Sequence, residues 1–326
     1  MTRSSFVLAG LAAALVQAPA VSPPRMLETL HSTIAAFKGV MGVAARNLET
    51  GEEVAVNADL RFPTASTIKT AVMVEAYHQA AEGRLPLDAV ITLREVDTVG
   101  GTGVLNGLHE GLALTVADLL HLMIVVSDNT ATNLLVNRLG TQRINERMAA
   151  YGLPNTTLFR PTFRDGRADV FPELEREFGL GATTPREMAR LMALIAEGKA
   201  AGPEASAAML ATLRRQQDRA MIPRLLPQDA GLQIGNKTGT DAEKLPGRDG
   251  VRRQVRADAA VVLGNGVRYS IAIYARHVED ARGGVDNDAL ATGARVSRLI
   301  YDHFTTSTRP RGAGASVSAP GRLHTR

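Results

Sequence analysis

The strand-forming runs of this chain lie near its two ends, with a long helical stretch between them, and that division restricts the fold more than any other feature. After Pro23 and Pro24, the apolar residues Met26, Leu27, Leu30, Ile34 and Phe37 recur at the spacing of one buried helix face. Val40 to Asn47 and Glu53 to Asn57 are β-prone and are joined through Glu49-Thr50-Gly51, a hairpin in which Gly51 can take a positive φ. Strand character returns at Leu232 to Lys237, Asp258 to Leu263 and Val267 to Ala275, the last two separated by the turn dipeptide Asn265-Gly266. A final helix is expected from Asp288 to Phe304.

The middle of the chain has helices with recognisable stops: Ser66 to Glu82 before Gly83, Val116 to Val126, Thr130 to Leu139 before Gly140, and Pro185 to Glu197 before Gly198. Thr115 with Asp118 has the form of a capping box, and Thr184 before Pro185 is a cap followed by proline at the first helical position. The fold expected is α+β, with an antiparallel five-stranded sheet assembled from both chain ends, flanked by helices. Residues 21–63 and 205–304 form the α/β part, and residues 64–204 form a large all-helical insert.

A hydrophobic share of 45% is sufficient for such a core. Beyond residue 20 no apolar run is long enough to span a bilayer, so stable membrane insertion is not expected. Residues 1–20 combine Arg3, an apolar run from Phe6 to Val16 and the small-residue site Ala18-Pro19-Ala20, which reads as a signal peptide; a buried N-terminal helix is the competing reading. An exported protein, periplasmic or secreted, is therefore expected. Residues 305–326 read as a disordered basic tail whose four arginines, with no acid, account for the whole formal charge of +4. The remainder is near neutral, which disfavours nucleic acid as a partner while leaving contact between the tail and an anionic envelope polymer open. A monomer acting on a small-molecule substrate is expected.

The absence of cysteine excludes thiolate zinc sites, redox dithiols, a cysteine nucleophile and a cysteine-linked lipid anchor. The seven histidines form no H-E-x-x-H pattern, and no G-x-S-x-G elbow occurs, so neither a metal nor another cofactor is expected.

Three short motifs carry chemistry. Ser66 stands at the mouth of a helix with Lys69 one turn later, where an amine of lowered pKa could take the proton of the hydroxyl; taken alone, the pair is equally a cap and a surface lysine. Ser127-Asp128-Asn129 interrupts an apolar helix and presents a hydroxyl and an amide, which is either a plain interruption or a proton relay with an amide clamp. Lys237-Thr238-Gly239 ends a strand, offering charge to an anionic substrate at a point where glycine lets a ligand approach the backbone.

Each motif occurs once, in this order, and together they match the S-x-x-K, S-D-N and K-T-G set. With Gly100 to Leu105, Ser127 to Leu135 and Thr183-Thr184-Pro185, the chain resembles the class A β-lactamases and their penicillin-recognising serine hydrolase relatives over roughly Met26 to Phe304. The resemblance implies a β-lactamase/transpeptidase-like fold in which Ser66 is acylated and Lys69 and Ser127 transfer protons. It implies that Asn129 binds a substrate amide, that Lys237 and Thr238 face a substrate carboxylate beside Gly239, where the backbone comes close to the ligand, and that the backbone N–H groups of Ser66 and Thr240 form an oxyanion hole. Arg256 would support carboxylate binding, with Arg252 and Arg253 as competitors for that role.

The chain departs from the family in lacking the E-x-x-L-N segment whose glutamate activates the deacylating water. If Leu158-Phe159-Arg160 opens the equivalent loop, the glutamate position falls at Thr162, and Glu173 is the candidate replacement, although an acid-rich helical turn is more often a solvated face. The function implied is opening of β-lactams through a Ser66 acyl-enzyme. The alternatives are a penicillin-binding D-alanyl peptidase or esterase of the same fold, and a β-lactam-binding protein without turnover.

Overall fold

The computed structural model describes residues 23–307. The expected signal peptide over residues 1–20, and the tail from residue 308 onward, lie outside the described residues. Helix α1 (Pro23–Ala35) leads into β1 (Val40–Asn47), β2 (Glu53–Val56) and the short β3 (Phe62–Pro63). A 3-10 turn, Ala65–Ile68, continues into α2 (Lys69–Ala81). There follow β4 (Val90–Thr92), β5 (Ala113–Thr115), α3 (Val116–Val125), α4 (Asn129–Leu139) and α5 (Thr141–Ala150). Next come β6 (Thr157–Leu158), α6 (Pro172–Phe178), β7 (Gly181–Thr183), α7 (Pro185–Ala196) and α8 (Pro203–Leu213). The chain closes with β8 (Gln233–Ala242), β9 (Gln254–Gly264), β10 (Val267–Val278) and α9 (Asp288–Ser307).

The five long strands form one antiparallel sheet in the order β2-β1-β10-β9-β8, so the N-terminal hairpin docks on the C-terminal meander. The β9–β10 turn is tight because both Asn265 and Gly266 take positive φ, at 52° and 72°. Strand β10 is central and buried on both faces. Tyr269, Ile271, Ile273 and Ala275 pack towards α1 and α9, whereas Ala272 and Tyr274 join the core beneath the helical part. Alternation thus divides the apolar residues of one strand between two cores.

Several expectations need correction. Leu27, placed on the buried face of α1, is 43% exposed, because Met26, Leu30, Ile34 and Phe37 already fill the contact with the sheet. The insert is not all-helical: its β6 and β7 pair with each other and with β3, just before the insert, in a small three-stranded sheet, and β4 pairs with β5. Helix α8 crosses the expected boundary at residues 204 and 205. Lys237-Thr238-Gly239 lies inside β8 rather than at its end, since β8 continues pairing with β9 as far as Ala242 opposite Gln254. Helix α9 takes in residues 305–307, the first three of the stretch read as tail.

The capping expectations hold in detail. Thr115 Oγ1 accepts from Asp118 N at 3.1 Å while Asp118 Oδ2 accepts from Thr115 N at 2.9 Å, and Thr184 Oγ1 accepts from Glu187 N at 3.1 Å. Among the described residues no helix is long and apolar enough to cross a membrane.

Candidate active site

Ser66 sits on the second residue of the 3-10 turn, half-buried, between the long sheet and the helical part. The turn is held from three sides. Thr64 N donates to Gly181 O at 2.9 Å, and Thr67 Oγ1 lies 2.7 Å from both Thr64 O and the Tyr274 hydroxyl of β10. Ala65, just before Ser66, is forced to a φ of 43°, a left-handed conformation that costs a non-glycine residue about 1–3 kcal/mol and persists where surrounding contacts over-determine it.

Gly239 explains how closely β8 approaches this turn. A Cβ there would lie 2.8 Å from Thr64 O, 3.1 Å from Ala65 Cβ and 3.2 Å from Ser66 N, distances that glycine alone accommodates. The sheet order makes β8 an edge strand, so its outer backbone groups have no strand partner there.

The Ser127 loop supplies the third side. Ser127 has a φ of 56° between α3 and α4, and Asp128 fixes that bend. Asp128 Oδ1 accepts from Ala131 N at 2.8 Å, capping α4, and Oδ2 accepts from Val104 N at 2.6 Å and Leu105 N at 2.9 Å, fastening the Gly100–Leu105 wall. Thr102 Oγ1 donates to Ser127 O at 2.7 Å, and Asn129 Nδ2 donates to Gly100 O at 3.1 Å.

Two fully buried lysines converge on Ser127. Lys69 Nζ donates to Ser127 O at 2.7 Å, Ser127 Oγ at 3.1 Å and Asn129 Oδ1 at 2.8 Å, while Lys237 Nζ donates to Ser127 Oγ at 3.1 Å and to Thr238 O at 2.8 Å. Burial, then the charge of Lys237, pushes the Lys69 amine well below the usual lysine range. Burial brings Lys237 down to about 8, opposed by the carboxyls of Asp258 and Asp218. Asp258, opposite Thr238 on β9, accepts from Ile222 N and Asn236 Nδ2, each at 3.0 Å, and burial lifts its carboxyl to about 7.

Ser66, Ser127, Asn129, Thr238 and Thr240 all line one cleft of about 460 Å³. Lys69 and Lys237 lie beneath its floor and reach it through Ser127. The hydrogen bond expected between Ser66 and Lys69 is not formed: Lys69 Nζ is engaged by Ser127 and Asn129, and the Ser66 hydroxyl has no hydrogen bond among the described residues.

Two of the candidate residues lie elsewhere. Glu173 is 79% exposed and pairs with Arg176 at 3.2 Å. Its helix directs Glu175 inward instead: residues two apart on a helix point about 200° apart, and Glu175 holds Arg160 Nε at 2.7 Å and Gly166 N at 3.2 Å. Arg256 is buried but does not line the cleft, because its guanidinium donates to Val255 O at 2.9 Å and to Gln254 within its own strand. Of its competitors, Arg252 is exposed and Arg253 pairs with Asp249 at 2.6 Å.

Arg160, Thr162, Phe163 and Asp165, from the 159–171 segment, form the far wall. Thr162 N and Oγ1 donate to Asn133 Oδ1 at 2.8 and 2.9 Å, and Asn133 Nδ2 donates to Thr162 O at 3.1 Å, so Thr162 is anchored in the cleft where the family comparison places a glutamate. Arg160, Phe163 and Asp165 of the same segment, with Thr102, Gln216, Asp241 and Lys244, also line the cleft and were not identified from sequence. The buried pair of Arg160 with Glu175 has no helical spacing to reveal it, and Phe163 stands alone in an aperiodic loop.

A family model described as the β-lactamase enzyme family matches residues 25–304. β-Lactamase L2 of Stenotrophomonas maltophilia is 30% identical over 60% of this chain and 64% of its own length, so the chain spans just under two thirds of that relative. Among solved structures, a β-lactamase from Sphaerobacter thermophilus superposes with a TM-score of 0.73 at 29% identity, covering 89% of this chain and 100% of the other. A mutant of PBP-A, captured as an acyl-enzyme complex with penicillin G, superposes with a TM-score of 0.71 at 28% identity over 89% of this chain and 100% of its own.

Proposed function

The chain belongs to the β-lactamase enzyme family, and from that premise we propose that it is an exported serine hydrolase that opens β-lactams through an acyl-enzyme on Ser66. The observation that carries this reading is the placing of one hydroxyl, Ser127 Oγ, 3.1 Å from each of two buried lysine amines, at a cleft that Ser66 also lines.

The steps follow from that arrangement. The substrate carboxylate meets Thr238 under the charge of Lys237 beneath the floor, its amide meets Asn129, and the lactam carbonyl oxygen lies between the N–H groups of Ser66 and Thr240. Neutral Lys69 turns its lone pair to the Ser66 hydroxyl, accepts the Ser66 O–H hydrogen bond and takes that proton as Oγ bonds to the carbonyl carbon; such bonds commonly tighten only when substrate is bound. The ring C–N bond breaks, the nitrogen receives the Ser127 proton, and Lys69, which holds the proton taken from Ser66, returns one proton to Ser127 while Lys237 keeps its own. Water then cleaves the ester, releasing the opened acid and restoring Ser66.

The last step is the slow one. Thr162 has no carboxylate to activate water, and Glu173 is outside the cleft. This favours, as a second reading, a penicillin-binding D-alanyl peptidase or esterase that β-lactams acylate persistently, or a binding protein without turnover. On either reading residues 21–304 are the working domain, a monomer without metal or other cofactor, preceded by a cleaved leader and followed by a basic tail.

Intact-mass measurement after mixing with penicillin G, alongside product release from a chromogenic cephalosporin, tests the proposal. The expected result is an adduct with the mass of the whole penicillin that decays slowly as product accumulates, that is lost in Ser66→Ala, and that turns over faster in Thr162→Glu. A persistent adduct without product supports the second reading, and neither adduct nor product refutes the assignment.

A further inference from the structure

Phe163 lines the cleft with 57% of its surface exposed and a φ of 57°. A single exposed apolar side chain on a protein surface needs no explanation. Here two further circumstances coincide. A bulky residue in the left-handed region is strained where glycine would not be, and the opposite wall is cut away to receive the ring. At Gly101, itself at a φ of 82°, a Cβ would lie 2.8 Å from Phe163 Cζ and 3.0 Å from Cε2. The same Cβ would lie 2.6 Å from Asn129 Nδ2, so the ring and the Asn129 amide are neighbours across one missing side chain.

The contact with Gly100 and Gly101 leaves more than half of Phe163 exposed, so joining the two loops does not account for a phenylalanine there. A substrate amide held by Asn129 would direct its acyl substituent at this ring. Accordingly, resting on the Ser66 acylation reading, we propose that Phe163 is a specificity-determining platform that selects acyl donors carrying an aryl or large apolar group beside the amide. Offset or edge contact between an aryl substituent and the ring is favourable beyond what area burial supplies.

The test compares second-order rates of Ser66 acylation by penicillin G, which carries a benzyl group on its amide, and by 6-aminopenicillanic acid, which has the same nucleus without the acyl group. The wild-type chain is expected to favour the benzyl compound. Phe163→Gly, whose backbone suits the left-handed conformation, is expected to keep the thermal midpoint and to lose about three- to tenfold of that preference, read as the ratio of the two rates. Phe163→Tyr should retain the preference. An unaltered preference in folded Phe163→Gly overturns the platform while leaving Ser66 acylation intact. If neither compound acylates the wild-type chain, the Ser66 reading falls and this one with it.

Discussion

Ser127 Oγ has two lone pairs and accepts from both amines while both are protonated, and its one hydrogen can go to a lysine only when that lysine is neutral. Of the two, Lys69 is the amine more readily neutral, since burial and the Lys237 charge act on it against the support of Asp128, whereas Lys237 is lowered by burial and has Asp258 and Asp218 to support its proton. A neutral Lys69 beside an ammonium Lys237 satisfies the hydroxyl, and turning the Lys69 lone pair from Ser127 to Ser66 supplies the base. Because Lys237 is charged below about 8 and neutral above it, acylation by carboxylate-bearing β-lactams should fall as pH rises through about 8. A pH profile of acylation rate checks this, and Lys237→Arg, whose guanidinium keeps its charge far above that range, should move the fall to higher pH. A flat profile between pH 7 and 9 in the wild-type chain would remove Lys237 from substrate binding. The motif residues were legible because their side chains are unusual at those places in a helix or strand. The acids were not: whether Glu173 or Glu175 faces inward is set by how α6 docks, and no feature of a seven-residue helix with acids at both positions announces that.

At the scale of elements, the site depends on how near β8 comes to the 3-10 turn. Gly239→Ala places a Cβ 2.8 Å from Thr64 O, so strand and turn must separate. Since a displacement of about 1 Å at reacting groups can lower a rate about a hundredfold, acylation should drop by that order with a smaller loss of thermal stability. Unchanged acylation in this variant would mean that the close approach does not position the reacting groups. The long strands and the capped helices were readable in sequence, since alternation, an Asn-Gly turn and threonine caps are local signals. Strands β3, β6 and β7, of two or three residues each, are too short for alternation to register, and exist because the turn and the 159–171 segment are packed against one another. Helices α5 and α8 escaped notice for opposite reasons: α5 buries only Ile144 and Met148 among its apolar residues, and α8 is alanine-rich with no well-marked apolar stripe.

Across the whole molecule, residues 66, 127 and 237 come together because the sheet draws the chain ends side by side and the insert folds back over one of its faces. Two hydrophobic clusters, one on each face, enforce this arrangement, and the Tyr274 hydroxyl on Thr67 ties the central strand to the turn bearing Ser66. Convergence of this kind is valuable only if the hydroxyl at its centre reacts. The most direct measurement is a peptide map of protein quenched after brief exposure to penicillin G, with fragmentation to locate the label. The expected label is one penicilloyl group on Ser66 within the tryptic peptide Phe62–Lys69. A label on Ser127, on a lysine or on any other peptide, or no label at all, would contradict Ser66 as the nucleophile.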